Sequence, residues 1–116
     1  DYAQIYKISF VVGNDEPEIS INQAGTISVY PNPFNPETTI SFYLYAHDLN
    51  KPISVEIYNL KGQLVRTLFS EIAKKRAIYI TWNGTNNQGV RISSSIYLIR
   101  LKTATTNVSR KVILIK

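Results

Sequence analysis

The chain has 116 residues, 44% hydrophobic and 18% charged, which is one domain's length and a globular composition, not a disordered one. With no Cys, no Met and one His, disulfides, thiolate chemistry, Fe–S clusters, Cys-ligated zinc and paired-His metal sites are excluded within one copy. The net charge of +5 is unevenly divided: residues 1–50 carry one Lys against six Asp or Glu, and residues 51–116 carry twelve Lys or Arg against two Glu.

A basic half of this kind suits an acidic partner, or strand edges kept apart by like charge. Its one dense cluster, Lys74-Lys75-Arg76, falls between two predicted strands. Three residues in a hairpin loop make a poor nucleic-acid surface, so no nucleic-acid partner is expected. No apolar run approaches the ~20 residues that span a bilayer, so no membrane insertion is expected. No basic-then-apolar leader follows Asp1, as in a processed or excised piece.

Residues 4–12 alternate in polarity and predict a strand. Residues 13–18 (Gly-Asn-Asp-Glu-Pro-Glu) are acidic and broken by Pro, and they read as a linker. Residues 1–24 are therefore assigned to the end of an upstream region plus the acidic linker, and 25–116 to a folded module. The strand at 4–12 either belongs upstream or adds an extra N-terminal strand to the module.

Ile27–Tyr30 predicts a short strand stopped by Pro31. In Tyr30-Pro31-Asn32-Pro33-Phe34-Asn35-Pro36 three prolines fix φ and remove three donors. This segment is expected to cross stiffly between strands, with Phe34 plugging a core edge. Thr38–Tyr45 sets Ile40, Phe42 and Leu44 on one face. His47 and Asp48 follow in a predicted solvated turn, and adjacency alone does not make them a catalytic pair. Pro52–Asn59 sets Ile53, Val55 and Ile57 together, whereas Gln63–Phe69 alternates poorly. The best helix candidate, Glu71–Ala77, is too short and lacks helical apolar spacing. Arg76–Trp82 groups Ile78, Ile80 and Trp82; Ile96–Lys102 groups Tyr97, Ile99 and Leu101; Val108–Ile115 closes the chain. Short strands separated by Asn, Gly, Pro and Ser turns predict an all-β antiparallel sandwich.

The turn Trp82-Asn83-Gly84-Thr85-Asn86-Asn87-Gln88-Gly89 offers oxygen atoms but no carboxylate. Calcium prefers several carboxylates, so neither a metal nor any other cofactor is expected. Among the serines none sits in a Gly-x-Ser-x-Gly elbow, and Glu37, Glu56 and Glu71 lie on different predicted elements. Catalysis is not expected. Tyr43, Tyr45, Tyr58 and Tyr79, if outward, would suit a sugar-binding or spacer module. Arg110–Lys116 reads either as the last core strand or as a basic terminus recognised by a receptor.

Taken in order, Val29–Pro36, Thr38–Phe42, Val55–Val65, Trp82–Gly89, Ile96–Leu101 and Lys111–Lys116 resemble the type IX secretion system C-terminal sorting domain (type A). They are also similar to the Ig-like domain of flagellar hook-cap proteins. The resemblance covers residues 25–116. It implies an Ig-like antiparallel β-sandwich of about seven strands, placed at the end of a larger secreted protein and recognised as an address. The implied partners are the type IX translocon or its outer-membrane shuttle protein, a sortase-like protease, and a cargo domain preceding this module in the same chain. The implied location is the cell surface or the medium, and a monomer is expected. By the same resemblance, recognition falls on Arg110, Lys111, Val112, Ile113, Leu114, Ile115 and Lys116. Pro31, Asn32, Pro33, Trp82, Gly84, Gly89 and Tyr97 carry the structural motif. Two departures stand out: Asn83 and Asn86 occupy positions where the family often has Asp, and Ser95 stands where Gly is usual.

Overall fold

The computed structural model describes residues 24–116; the predicted strand at 4–12 and the acidic linker, apart from Ala24, lie outside the described residues. Seven strands follow: β1 (Ile27–Tyr30), β2 (Thr38–Tyr43), β3 (Pro52–Tyr58), β4 (Leu64–Ile72), β5 (Ala77–Trp82), β6 (Ser95–Lys102) and β7 (Asn107–Leu114). They form two antiparallel sheets, ordered β1-β2-β5 and β4-β3-β6-β7. The fold is an Ig-like β-sandwich.

Period-two patterning decides which side chains meet between the sheets. Ile40 and Phe42 of β2 meet Val55 and Ile57 of β3 and Ile99 and Leu101 of β6 in one buried cluster. β4 follows the pattern least, and its pairing explains why. Register shifts at Val55/Glu56 and Ile57/Tyr58 let β4 slip against β3 twice, and each bulge reverses the inside–outside phase. The strand runs on to Ile72, so the helix candidate at 71–77 is a strand end followed by a loop.

The aromatic end of the core is built around Trp82, which has no exposed surface. Phe34 lies 5.3 Å from it, centroid to centroid, and Tyr97 meets it edge-on at 5.8 Å. Each ring with a polar handle has a partner, as burial requires. Trp82 Nε1 donates to Thr85 O at 3.0 Å, and Tyr97 OH donates to Ser93 O at 2.7 Å. Gly84 sits beneath this cluster at φ 74°, and a Cβ there would meet Leu114 at 3.4 Å. The positive φ therefore calls for glycine, whereas the Leu114 contact would be an ordinary van der Waals one. Gly89, also at positive φ, turns in open space.

Replacing Trp82 with Ala should cost about 3–5 kcal/mol, since the indole fills space that its neighbours cannot collapse into. Urea unfolding of the variant reads this directly. A loss below about 1 kcal/mol would mean that the indole does not anchor the two sheets.

Candidate functional site

The site is built on β7, whose alternation divides the predicted recognition residues into two sets. Val112 and Leu114 point inward and are core. Lys111, Ile113, Ile115 and Lys116 are exposed, with 37% of Ile113 and 48% of Ile115 open to solvent. Arg110 turns across the gap between the sheets, and its Nη1 donates to Ile27 O at 2.6 Å. Of the seven, two therefore serve the interior and five are exposed, one of which, Arg110, also ties β7 to β1.

Both backbone edges of β7 are engaged. One edge pairs with β6 along its whole length, from Lys102↔Asn107 to Ser95↔Leu114. The other is taken by the proline segment. The Asn32 amide lies against the strand and does the work of a backbone unit: Nδ2 donates to Lys111 O at 3.2 Å, and Oδ1 accepts Ile113 N–H at 3.0 Å. Phe34 then continues the pairing with its own main chain. Its N–H donates to Ile113 O at 2.9 Å and its carbonyl accepts Ile115 N–H at 3.0 Å. The chain here runs parallel to β7. Pro31 and Pro33 flank Asn32 and supply no N–H, so the side chain makes the contact at this position. Thr38 Oγ1 donates to Pro31 O at 2.7 Å. The peptide bonds preceding Pro31, Pro33 and Pro36 are cis.

On the outward face of the β6–β7 pair lies an open groove of about 500 Å³, lined by Asn32, Ile96, Leu98, Ser109, Arg110, Lys111 and Ile113. Ile96, Leu98 and Ile113 supply its apolar surface, and Arg110 and Lys111 are its basic residues. β6 and β7 carry Arg100, Lys102, Arg110 and Lys111 and no acidic residue.

The turn after Trp82 consumes its own oxygens. Asn86 Oδ1 accepts the N–H groups of Gln88 and Val90, at 2.9 and 3.0 Å. Thr85 Oγ1 donates to Asn83 Oδ1 at 2.6 Å and accepts from Arg66 Nη1. Asn87 reaches the outer edge of β4, where Oδ1 accepts Thr67 N–H and its own N–H meets Val65 O, at 3.0 and 3.1 Å. Among the described residues no His, Asp and Glu cluster suits a metal.

His47 and Asp48 behave differently from a solvated pair. Asp48 is fully buried in a short 3-10 turn, Ala46–Asp48. Its carboxylate accepts hydroxyl hydrogen bonds from Thr103 at 3.1 Å and Thr105 at 3.0 Å, which pin the β6–β7 hairpin to the β2–β3 crossover. His47 stays exposed and stacks on Tyr45, with Nε2 3.0 Å from Thr105 Oγ1. Thr105 has one proton to give and a buried carboxylate to take it, so the group is a hairpin lock. The sequence signal was present: an Asp in a crossover and a Thr-x-Thr in a distant hairpin.

The four tyrosines do not form one row. Tyr43 and Tyr79 belong to the β1-β2-β5 sheet, and the Arg76 guanidinium lies 4.6 Å over the Tyr43 ring. Tyr45 is packed over Gly25. Tyr58 is on the opposite sheet and donates to Glu56 Oε1 at 2.6 Å, beneath Arg100. That carboxylate holds the Tyr58 phenol above its ordinary pKa of 10.0; partial burial adds to the rise, and Arg100 opposes it.

Residues 28–116 match the family described as the secretion system C-terminal sorting domain, and the chain belongs to that family. No curated protein is significantly similar to it. Among solved structures it is similar to dimeric latent PorU from Porphyromonas gingivalis, at 25% identity and a TM-score of 0.61, over 77% of this chain and 9% of that one. It is also similar to PorZ, described as an essential surface component of the type-IX secretion system of the same organism. There the identity is 21% and the TM-score 0.54, over 84% of this chain and 12% of PorZ. A truncated FlgD from Helicobacter pylori matches at 18% identity and a TM-score of 0.46, over 82% of this chain and 74% of that one. The chain thus spans about a tenth of PorU and of PorZ. Family membership marks it as a sorting signal of the type IX system, which implies export to the cell surface or release. Among the described residues no helix is long and apolar enough to cross a membrane.

Two measurements check this geometry. Asn32→Ala should lower stability by about 1–2 kcal/mol, the net worth of two hydrogen bonds, and should accelerate amide exchange at Ile113 specifically. Unchanged exchange at Ile113 would mean that Asn32 does not hold the strand. In an ultraviolet titration, the difference between the parent and Tyr58→Phe should place the Tyr58 midpoint above 10.0. Removing the carboxylate with Glu56→Ala should lower it. Because the folded state favours the protonated phenol, this contribution to stability is present below the ordinary pKa and is lost as pH rises through the folded one.

Proposed function

We propose that this domain directs the polypeptide joined to its N-terminal side across the outer membrane through the type IX machinery, and that it is read as a folded domain. The single observation that carries this reading is the family match, which runs through β7 to Lys116. The geometry supports a particular mode of recognition. With both edges of β7 already paired, addition of a partner strand along residues 111–115 is disfavoured. Lys111, Ile113, Ile115 and Lys116 remain as a fixed outward array of charge and apolar surface. Such an array suits a receptor groove with acidic groups around an apolar floor. Removal of the domain by a sortase-like protease and anchoring of the cargo at the surface complete the proposal.

The experiment is a fusion of a signal peptide and a fluorescent reporter to the full chain, expressed in a host with a type IX system. Deleting Arg110–Lys116 would remove Val112 and Leu114 from the core and confound export with folding. The informative variant changes outward residues alone: Lys111→Ser, Ile113→Ser, Ile115→Ser and Lys116→Ser. The parent fusion should reach the surface or medium, and the variant, folded by circular dichroism, should stay periplasmic. Export of both would overturn recognition by this array, and retention of both would overturn the sorting role in that host.

A further inference from the structure

Of the chain's asparagines, Asn83 alone precedes a glycine. Gly84 has no side chain to hold its nitrogen away from the Asn83 amide, and Asn83 itself is exposed to water. The amide oxygen has a partner. Thr85 Oγ1 donates to Asn83 Oδ1 at 2.6 Å and accepts from Arg66 Nη1. A guanidinium can only donate, so the hydroxyl proton is directed at the amide oxygen. Thr85 is buried, and Arg66 has no carboxylate partner among the described residues. A cation one hydroxyl away thus polarises the Asn83 carbonyl.

We propose that Asn83 is a self-modification site, converted to aspartate in the folded domain with water as the only co-reactant. The Gly84 nitrogen gives its proton to water and bonds to Asn83 Cγ. Negative charge builds on Oδ1, where the Thr85 hydroxyl already donates, as an oxyanion donor does in acyl transfer. The Cγ–Nδ2 bond breaks, and Nδ2 takes up a proton and leaves as ammonia. A five-membered imide remains, and water adds to one of its two carbonyls. The Thr85 hydroxyl polarises the one at Cγ. Opening there breaks the Cγ–N bond, restores the Gly84 N–H and yields aspartate rather than its iso form. The new carboxylate stands one hydroxyl from Arg66 and gives that guanidinium a counter-charge. It thereby ties the turn that holds Trp82 to β4, the strand that carries Arg66.

The test incubates the full 116-residue chain, folded and in guanidinium chloride, in water enriched in heavy oxygen. Mass spectrometry follows the peptide that contains residue 83. The folded chain should take up labelled oxygen there faster than the unfolded one, and mainly as aspartate, whereas the unfolded chain should give mainly the iso form. Thr85→Val should slow the folded reaction about tenfold, the worth of one hydrogen bond to a developing charge, and Thr85→Ser should restore the rate. Asn83→Asp should raise the melting temperature, and should fail to do so beside Arg66→Gln. If Thr85→Val does not fold, the comparison of folded with unfolded parent decides alone. Slower conversion in the folded chain, one product mixture in both states, or an unchanged rate in folded Thr85→Val overturns the proposal. An Asn83→Asp chain no more stable than the parent overturns the pairing with Arg66.

Discussion

The capture of β7 between β6 and the Asn32–Phe34 segment is the constraint from which the rest of the structure follows. A last strand has only one neighbour in its own sheet, and its other edge is ordinarily open to any chain that can pair with it. Here an amide side chain and one residue of main chain close that edge over Lys111 to Ile115. Closing it fixes the strand's rotation, and the rotation fixes which side chains look out. If β7 turned by one register step, Val112 and Leu114 would face solvent and Ile113 would enter the core. The outward array is thus a product of backbone hydrogen bonding.

That closure depends in turn on the aromatic cluster. Phe34 contributes its main chain to β7 and its ring to Trp82. Leu114 lies over Gly84, which belongs to the turn that holds the indole through Thr85. The Asn-rich turn then reaches back to the far edge of the same sheet through Asn87 and β4. Two loops leave the three-stranded sheet, one before β2 and one after β5, and each covers one edge of the four-stranded sheet. The proline segment and the Asn turn are therefore two solutions to one problem, and the Trp82 cluster holds both in place.

Much of this was legible because strands obey a period of two. Ile40, Phe42, Val55, Ile57, Ile99 and Leu101 announce their inward faces, and all are buried. Turn chemistry marked where Gly84 and Gly89 would sit. What escaped the pattern was whatever depends on partners distant in sequence. Asn32 reads as a loop residue until β7, eighty residues later, is placed beside it. Asp48 reads as solvated until the Thr103 and Thr105 hydroxyls arrive. β4 alternates poorly because its bulges are set by slippage against β3, a property of the pair. For recognition, sequence reasoning named a contiguous run, Arg110 to Lys116, whereas the fold buries Val112 and Leu114 of that run and leaves its other five residues exposed.

This sorting bears on how an address made of a folded domain can be both stable and recognisable. A flexible basic tail would offer the same charges at lower structural cost, but a receptor would then bear the entropy of ordering it. On β7 that entropy is already spent in folding, because the strand shares its inward side chains with the core. Under the proposed recognition by this face, specificity rests on spacing as well as composition. Lys111, Ile113 and Ile115 stand two residues apart on one face, about 7 Å between neighbours in an extended strand. An unfolded chain of the same sequence would not hold that spacing. On that proposal, a receptor built to it tests whether the domain has folded at the same moment that it reads the address.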